Sequence, residues 1–166
     1  MNRRFATLAL LLAGCASAPP APVLGWSGKL GYRMEATSSQ RAQAGSALFE
    51  LQGDATAGSL LLTSPLGTTL AQAQWSPQGL SLSDGKSQRS FASLEELGAA
   101  LGDALQGPPL PLGALFDWLH DKPVAALPFE RDGAALIQLG WRIERPDPQR
   151  LHLSQGGMSL RLVLSP

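Results

Sequence analysis

Trp26-Ser27-Gly28-Lys29-Leu30-Gly31-Tyr32-Arg33-Met34-Glu35 is the stretch that decides the fold. Trp26, Gly28, Leu30, Tyr32 and Met34 alternate with Ser27, Lys29, Gly31, Arg33 and Glu35, a period of two that makes a strand with one buried and one wet face. After the polar break Thr37-Ser38-Ser39-Gln40, the run from Ala44 to Gln52 places Ala47, Phe49 and Leu51 on one side, and Gly53-Asp54 turns it back. Ser59-Leu60-Leu61-Leu62-Thr63 is a third strand, more continuously apolar. Thr63 to Thr68 is a loop by its Pro65 and Gly67. Ala71, Ala73 and Trp75 share a face of a fourth strand. Pro77-Gln78-Gly79 and Asp84-Gly85 bracket a fifth carrying Leu80 and Leu82, and Ser87 to Phe91 returns.

The period then changes. Ser93 followed three residues later by Glu96 is a capping box, and Leu94, Leu97, Leu101 and Leu105 recur at helical spacing until Gly107, Pro108 and Pro109 stop them. A second short helix runs from Pro111 through Leu112, Leu115, Phe116, Trp118 and Leu119 to Asp121-Lys122-Pro123. Residues 124–133 read as irregular. Strands resume with Leu139, Trp141 and Ile143, then Leu151 and Leu153, then Met158, Leu160, Leu162 and Leu164. The expectation is a curled antiparallel sheet of nine or more strands with two helices on one face, class α+β, and no internal repeat.

The N-terminal residues carry a different message. Met1-Asn2-Arg3-Arg4 precedes an apolar run from Phe5 to Leu12, then Ala13-Gly14-Cys15. A basic start, a short apolar stretch and small residues form a secretory signal, and the apolar run falls short of the ~20 residues a bilayer span needs. Leu11-Leu12-Ala13-Gly14-Cys15 resembles a bacterial lipobox, whose cysteine accepts diacylglycerol on its thiol and becomes the new first residue. The expected organisation is a signal over residues 1–14, a lipidated tether over 15–25 and one folded domain over 26–166. Ala16 after the cysteine points by resemblance to the outer membrane. Cys15 is the one cysteine, so no intramolecular disulfide forms.

The precursor has a formal charge of zero, and loss of Arg3 and Arg4 leaves 11 basic against 13 acidic residues. That balance speaks against nucleic acid, which asks for a clustered basic surface. With 44% hydrophobic and 16% charged residues, the chain has a core to bury and is no disordered tail. Its two histidines are His120 and His152. Asp117 and His120 stand three apart on a helix and read as a surface pair; His152, between Leu151 and Leu153, should face water. Neither a nucleophile motif, a phosphate-binding glycine loop nor a metal-ligand spacing is present, so no enzyme activity, cofactor or metal is expected. Apolar surface remains. Helices filling the curl would make an ordinary core, and helices across its mouth would make an apolar pocket. Periodicity does not choose between them.

Three stretches bear on that choice: Trp26 to Arg33, Leu60-Leu61-Leu62-Thr63-Ser64-Pro65-Leu66-Gly67-Thr68-Thr69-Leu70, and Pro109-Leu110-Pro111-Leu112-Gly113-Ala114-Leu115-Phe116-Asp117-Trp118-Leu119. In this order behind a lipobox they resemble the LolB family of outer-membrane lipoprotein receptors, over most of residues 26–164. The resemblance implies an incomplete β-barrel whose helices lid a hydrophobic cavity. It implies transfer of client lipoproteins from the periplasmic carrier LolA into the inner leaflet of the outer membrane, by a lipid-anchored monomer. The family's protruding loop falls on Pro65, Leu66 and Gly67, with Leu66 at its tip. Candidates for an acyl-binding cavity are Leu30, Tyr32, Phe49, Leu51, Trp75, Leu97, Leu101, Phe116 and Trp118, followed by Trp141, Leu160 and Leu162. The short stretch from Val124 to Ala134 implies a trimmed lid or late sheet. The competing class is a structural or acyl-sensing lipoprotein that transfers nothing.

Overall fold

The computed structural model describes residues 25–104 and 108–166. The expected signal, Cys15, Ala16, the rest of the tether to Leu24, and Leu105 to Gly107 lie outside the described residues. In chain order the elements are β1 (Gly25–Met34), β2 (Gln43–Gly53), β3 (Gly58–Thr63), β4 (Thr69–Ser76), β5 (Gly79–Ser83), β6 (Gln88–Phe91), α1 (Leu94–Ala104) and α2 (Leu112–Leu119). Then follow β7 (Phe129–Asp132), β8 (Ala135–Gln138), β9 (Trp141–Asp147), β10 (Arg150–Gln155) and β11 (Met158–Leu164).

All eleven strands form one antiparallel sheet in the order β6-β5-β4-β3-β2-β1-β11-β10-β9-β8-β7. β6 and β7 are its free edges, so the barrel is incomplete, as the resemblance implied, and the class is α+β, as the pattern implied. β1 is the centre. Its Leu30 lies opposite Ala47 of β2 and Leu162 of β11, and the period-two pattern puts all three on the buried face. The same alternation buries Phe49 and Leu51, Leu60 and Leu62, Ala71, Ala73 and Trp75, and Met158 and Leu160.

α1 starts as its sequence signature requires. The Glu96 N–H donates to Ser93 Oγ at 3.2 Å, and the Glu96 carboxylate accepts from the Ala92 N–H at 3.0 Å. Between them they satisfy two backbone donors at the helix start. α1 packs on β4, β5 and β6. The segment leading to α2 runs back along α1 in close contact. A Cβ at Gly98 would stand 2.1 Å from the Leu110 carbonyl oxygen, and one at Gly102 would stand 2.3 Å from that of Pro108. Only glycine admits this approach, which the Leu110 N–H secures by donating to Gly98 O at 3.0 Å.

Three expectations need correction. Residues 129–132, read as irregular, are strand β7. All four are exposed, and an edge strand held by its ladder to β8 needs no apolar period. β8 was not anticipated either, because the polar Gln138 sits at a buried position. Leu139, read as the first inward residue of a strand, lies instead in the β8–β9 turn with φ of 54° and is 48% exposed.

Candidate functional site

The concave face of the sheet, α2 and the segment before α2 border an apolar cavity. Leu30 of β1, Phe49 and Leu51 of β2, and Leu60 and Leu62 of β3 floor one half, while Trp141, Leu153, Leu160 and Leu162 floor the other. The roof is Leu110, Pro111, Leu112, Leu115 and Trp118, from α2 and the segment before it. All fourteen lining residues are apolar. The cavity volume is about 60 Å³. A dry cavity that accepts benzene measures about 150 Å³, so an acyl chain enters this space only when the roof lifts.

Two polar groups hold that roof. The Gln138 side chain is 2% exposed. Its Oε1 accepts from Trp118 Nε1 and from the Val124 N–H, each at 3.0 Å, and its Nε2 donates to Val124 O at 3.0 Å and Leu127 O at 3.2 Å. One amide from β8 thus ties α2 to the segment that follows it, with both ends of the side chain satisfied. Arg145 of β9 donates from Nη2 to the carbonyl oxygens of Trp118 at 3.1 Å and Leu119 at 2.8 Å. A cation on the last carbonyls of a helix meets orphan acceptors and the negative end of the helix dipole.

Of the nine residues first singled out for a cavity, Leu30, Phe49, Leu51 and Trp118 line it, as do Trp141, Leu160 and Leu162. Trp75, Leu97, Leu101 and Phe116 do not line it. They are buried in the packed core beside it, where the Phe116 ring stands edge-on to those of Trp75 and Trp26, at 6.1 and 5.8 Å between centroids. Their period marked them as inward but not as bordering empty space. Tyr32 lies over Gly45, where a Cβ would be 2.4 Å from its hydroxyl, and is only partly buried. Leu60, Leu62, Leu110, Pro111, Leu112, Leu115 and Leu153 line the cavity and were not singled out for it. For Leu60 and Leu62 the continuous apolar run hid which residues face inward.

Pro65, Leu66 and Gly67 form the β3–β4 turn. The Gly67 N–H donates to Ser64 O at 2.9 Å and the Ser64 N–H to Thr68 O at 2.7 Å, closing the turn. Gly67 has φ of 85°, and Leu66 is 95% exposed. Asp117 and His120 make no side-chain pair; His120 Nδ1 is 2.9 Å from Phe116 O, and its ring meets that of Trp26 at 4.9 Å. His152 is half-buried. Among the described residues no group of three or more His, Cys, Asp and Glu could hold a metal ion.

An open half-barrel with a helix roofing an apolar chamber defines a class of protein built around an internal hydrophobic cavity. A family model described as outer membrane lipoprotein LolB matches residues 25–165, and the chain belongs to that family. Curated relatives named outer-membrane lipoprotein LolB agree. The protein from Thiobacillus denitrificans is 32% identical, over 96% of this chain and 92% of its own length. That from Bordetella petrii is 33% identical over 87% and 78%, and that from Cupriavidus pinatubonensis 30% over 99% and 95%. Membership places the chain among outer-membrane lipoproteins that serve lipoprotein localisation, a family of localisation factors and not a known class of enzyme.

Proposed function

We propose that the chain accepts lipoproteins from the periplasmic carrier LolA and inserts them into the inner leaflet of the outer membrane. It holds their acyl chains in the apolar cavity and uses no nucleotide. The observation that carries this reading is the cavity wall, fourteen side chains without one polar member. Burying about ten acyl methylenes at ~0.8 kcal/mol each yields roughly 8 kcal/mol. Steps of ~1.4 kcal/mol bias each handover tenfold, so an ascending series of affinities moves the cargo. Residues 26–166 act as one unit, anchored through lipid on Cys15, and Leu66 enters the headgroup region during delivery.

The small volume of the cavity, about 60 Å³, favours one other reading, a lipoprotein with a filled core that neither binds nor transfers acyl chains. Transfer separates the two. Purified protein mixed with LolA carrying an acylated client should take the client without ATP, and Trp118→Glu should weaken that capture, because a charge in the roof resists burial. A client that stays on LolA with the unaltered chain would leave the filled-core reading in place.

A further inference from the structure

The strands β1, β3, β5, β8 and β10 all run toward one end of the sheet, because every neighbouring pair is antiparallel. The β3–β4 turn with Leu66 and the β8–β9 turn with Leu139 therefore share that end. Five strand steps separate β3 from β9 in the order of the sheet, about 24 Å along the curl at ~4.8 Å per step. The β8–β9 connection has two residues, Leu139 and Gly140, with φ of 54° and 77°. Positive φ at both positions is the pattern of a type I′ turn, where asparagine, aspartate or glycine is the usual first residue. Leucine there is strained and half exposed, and Gln155 Nε2 pins its carbonyl at 3.2 Å. A conformation that disfavours leucine, spent on a leucine that is left in water, calls for a reason outside the fold.

Between the two turns, the convex face carries cations. Arg161 of β11 lies opposite Gly31 of β1, which Lys29 and Arg33 flank two residues away on either side. All three cations are exposed, and none has an ion pair among the described residues. A Cβ at Gly31 would meet nothing within 4 Å, so the space among them is open. Acids on this face are Glu35 beyond Arg33, Glu50 opposite Ser27 and, toward the β7 edge, Glu130, Asp132, Glu144 and Asp147, of which Asp132 and Glu144 are bound to Arg142 at 2.7 and 3.0 Å and Asp147 to Arg150 at 3.5 Å. We propose that this end of the half-barrel docks on an anionic phospholipid bilayer, with Leu139 as a second apolar prong beside Leu66 and with Arg33, Arg161 and Lys29 on the lipid phosphates between them. The proposal rests on the membrane role of Leu66 given above and adds a second contact and a headgroup charge to it.

The test uses the full lipidated protein in vesicles, with an environment-sensitive dye on Leu139→Cys, Leu66→Cys or Gln78→Cys. Gln78 is exposed in the β4–β5 turn at the opposite end of the sheet. Cys15, acylated on sulfur, does not compete for the dye. In mixed phosphatidylcholine–phosphatidylglycerol vesicles bearing a nitroxide lipid, the dyes at 139 and 66 should shift blue and be quenched, and the dye at 78 should not. Exchanging Arg33 and Arg161 for glutamine should lower the docked population roughly fivefold per charge on these vesicles, and leave it unchanged on phosphatidylcholine alone. Leu139→Gly should dock less while keeping its melting temperature, since released strain offsets the lost partial burial. Quenching at 66 without quenching at 139 overturns this proposal and spares the role of Leu66; quenching at neither overturns both. Docking indifferent to the glutamine exchanges, or a Leu139→Gly variant that melts as if a core leucine were gone, also overturns it.

Discussion

Gln138→Leu puts the roof of the cavity to a quantitative test. The leucine nearly matches the volume of glutamine but has neither acceptor nor donor. Trp118 Nε1, on a side chain 1% exposed, then loses its partner inside the protein, as do the Val124 N–H and the Leu127 carbonyl, while the Val124 carbonyl keeps the Leu127 N–H at 3.1 Å. A buried donor left unpaired costs about 1–3 kcal/mol. The Val124 N–H and the Leu127 carbonyl are part-buried and recover some of their loss through water, and the new apolar side chain returns a little more. The sum is about 3 kcal/mol. At about 2–4 °C per kcal/mol for a chain of this size, the melting temperature should fall by about 6–12 °C. The remaining structure should persist, because the sheet ladder does not depend on this amide. With α2 less firmly held, a fluorescent fatty acid should enter the cavity faster than in the unaltered protein. Denaturant melts and stopped-flow binding give the two numbers. A stability loss below about 1 kcal/mol, or an entry rate that does not change, would refute the idea that Gln138 holds the roof shut.

Leu66→Glu should keep its melting temperature and still strip cargo from LolA, yet leave that cargo uninserted when liposomes are added; normal insertion would remove the turn from the delivery step. The leucine's own burial is worth only ~1.5–3 kcal/mol, enough to orient the protein and too little to anchor it. Arg145→Met removes the charged hydrogen bonds to Trp118 O and Leu119 O and should cost about 2 kcal/mol. Hydrogen exchange should quicken in residues 112–119 and stay slow in β1 and β11, and unchanged exchange in α2 would contradict its capping role. Cys15→Ala should leave the folded body intact but free in the periplasm, and palmitate labelling that persists in this variant would refute the anchor.

The sheet was legible because its central strands keep a strict period of two. Trp26 to Met34 has one face wet and one buried, and a one-residue slip would expose Leu30 and Met34 together. The helix start at Ser93 was legible for a similar reason, since both partners of its cap are local. β7 and β8 were not, because an exposed edge strand has no apolar face and Gln138 breaks the pattern from inside. The cavity was legible only in part. Inward direction follows from period, so Leu30, Phe49 and Leu51 could be named, but whether an inward residue touches a neighbour or a void depends on where α2 stands. That position is set by contacts far apart in sequence: Gly98 against Leu110, Gln138 against Trp118, and Arg145 against Leu119. The same distance hid the shared end of Leu66 and Leu139, which only the strand order brings into one plane.

The central claim is that acyl chains occupy the space beneath α2, and photochemical mapping tests it most directly. A client lipoprotein carrying a diazirine in its fatty acid is loaded on LolA, offered to the purified protein without ATP, and irradiated. Peptide mapping should then find the acyl chain joined to the cavity wall, at residues such as Leu62, Leu115, Leu153 and Leu160, with the carrier released. Crosslinks confined to the outer surface of the sheet, or cargo that remains on LolA, would contradict the account.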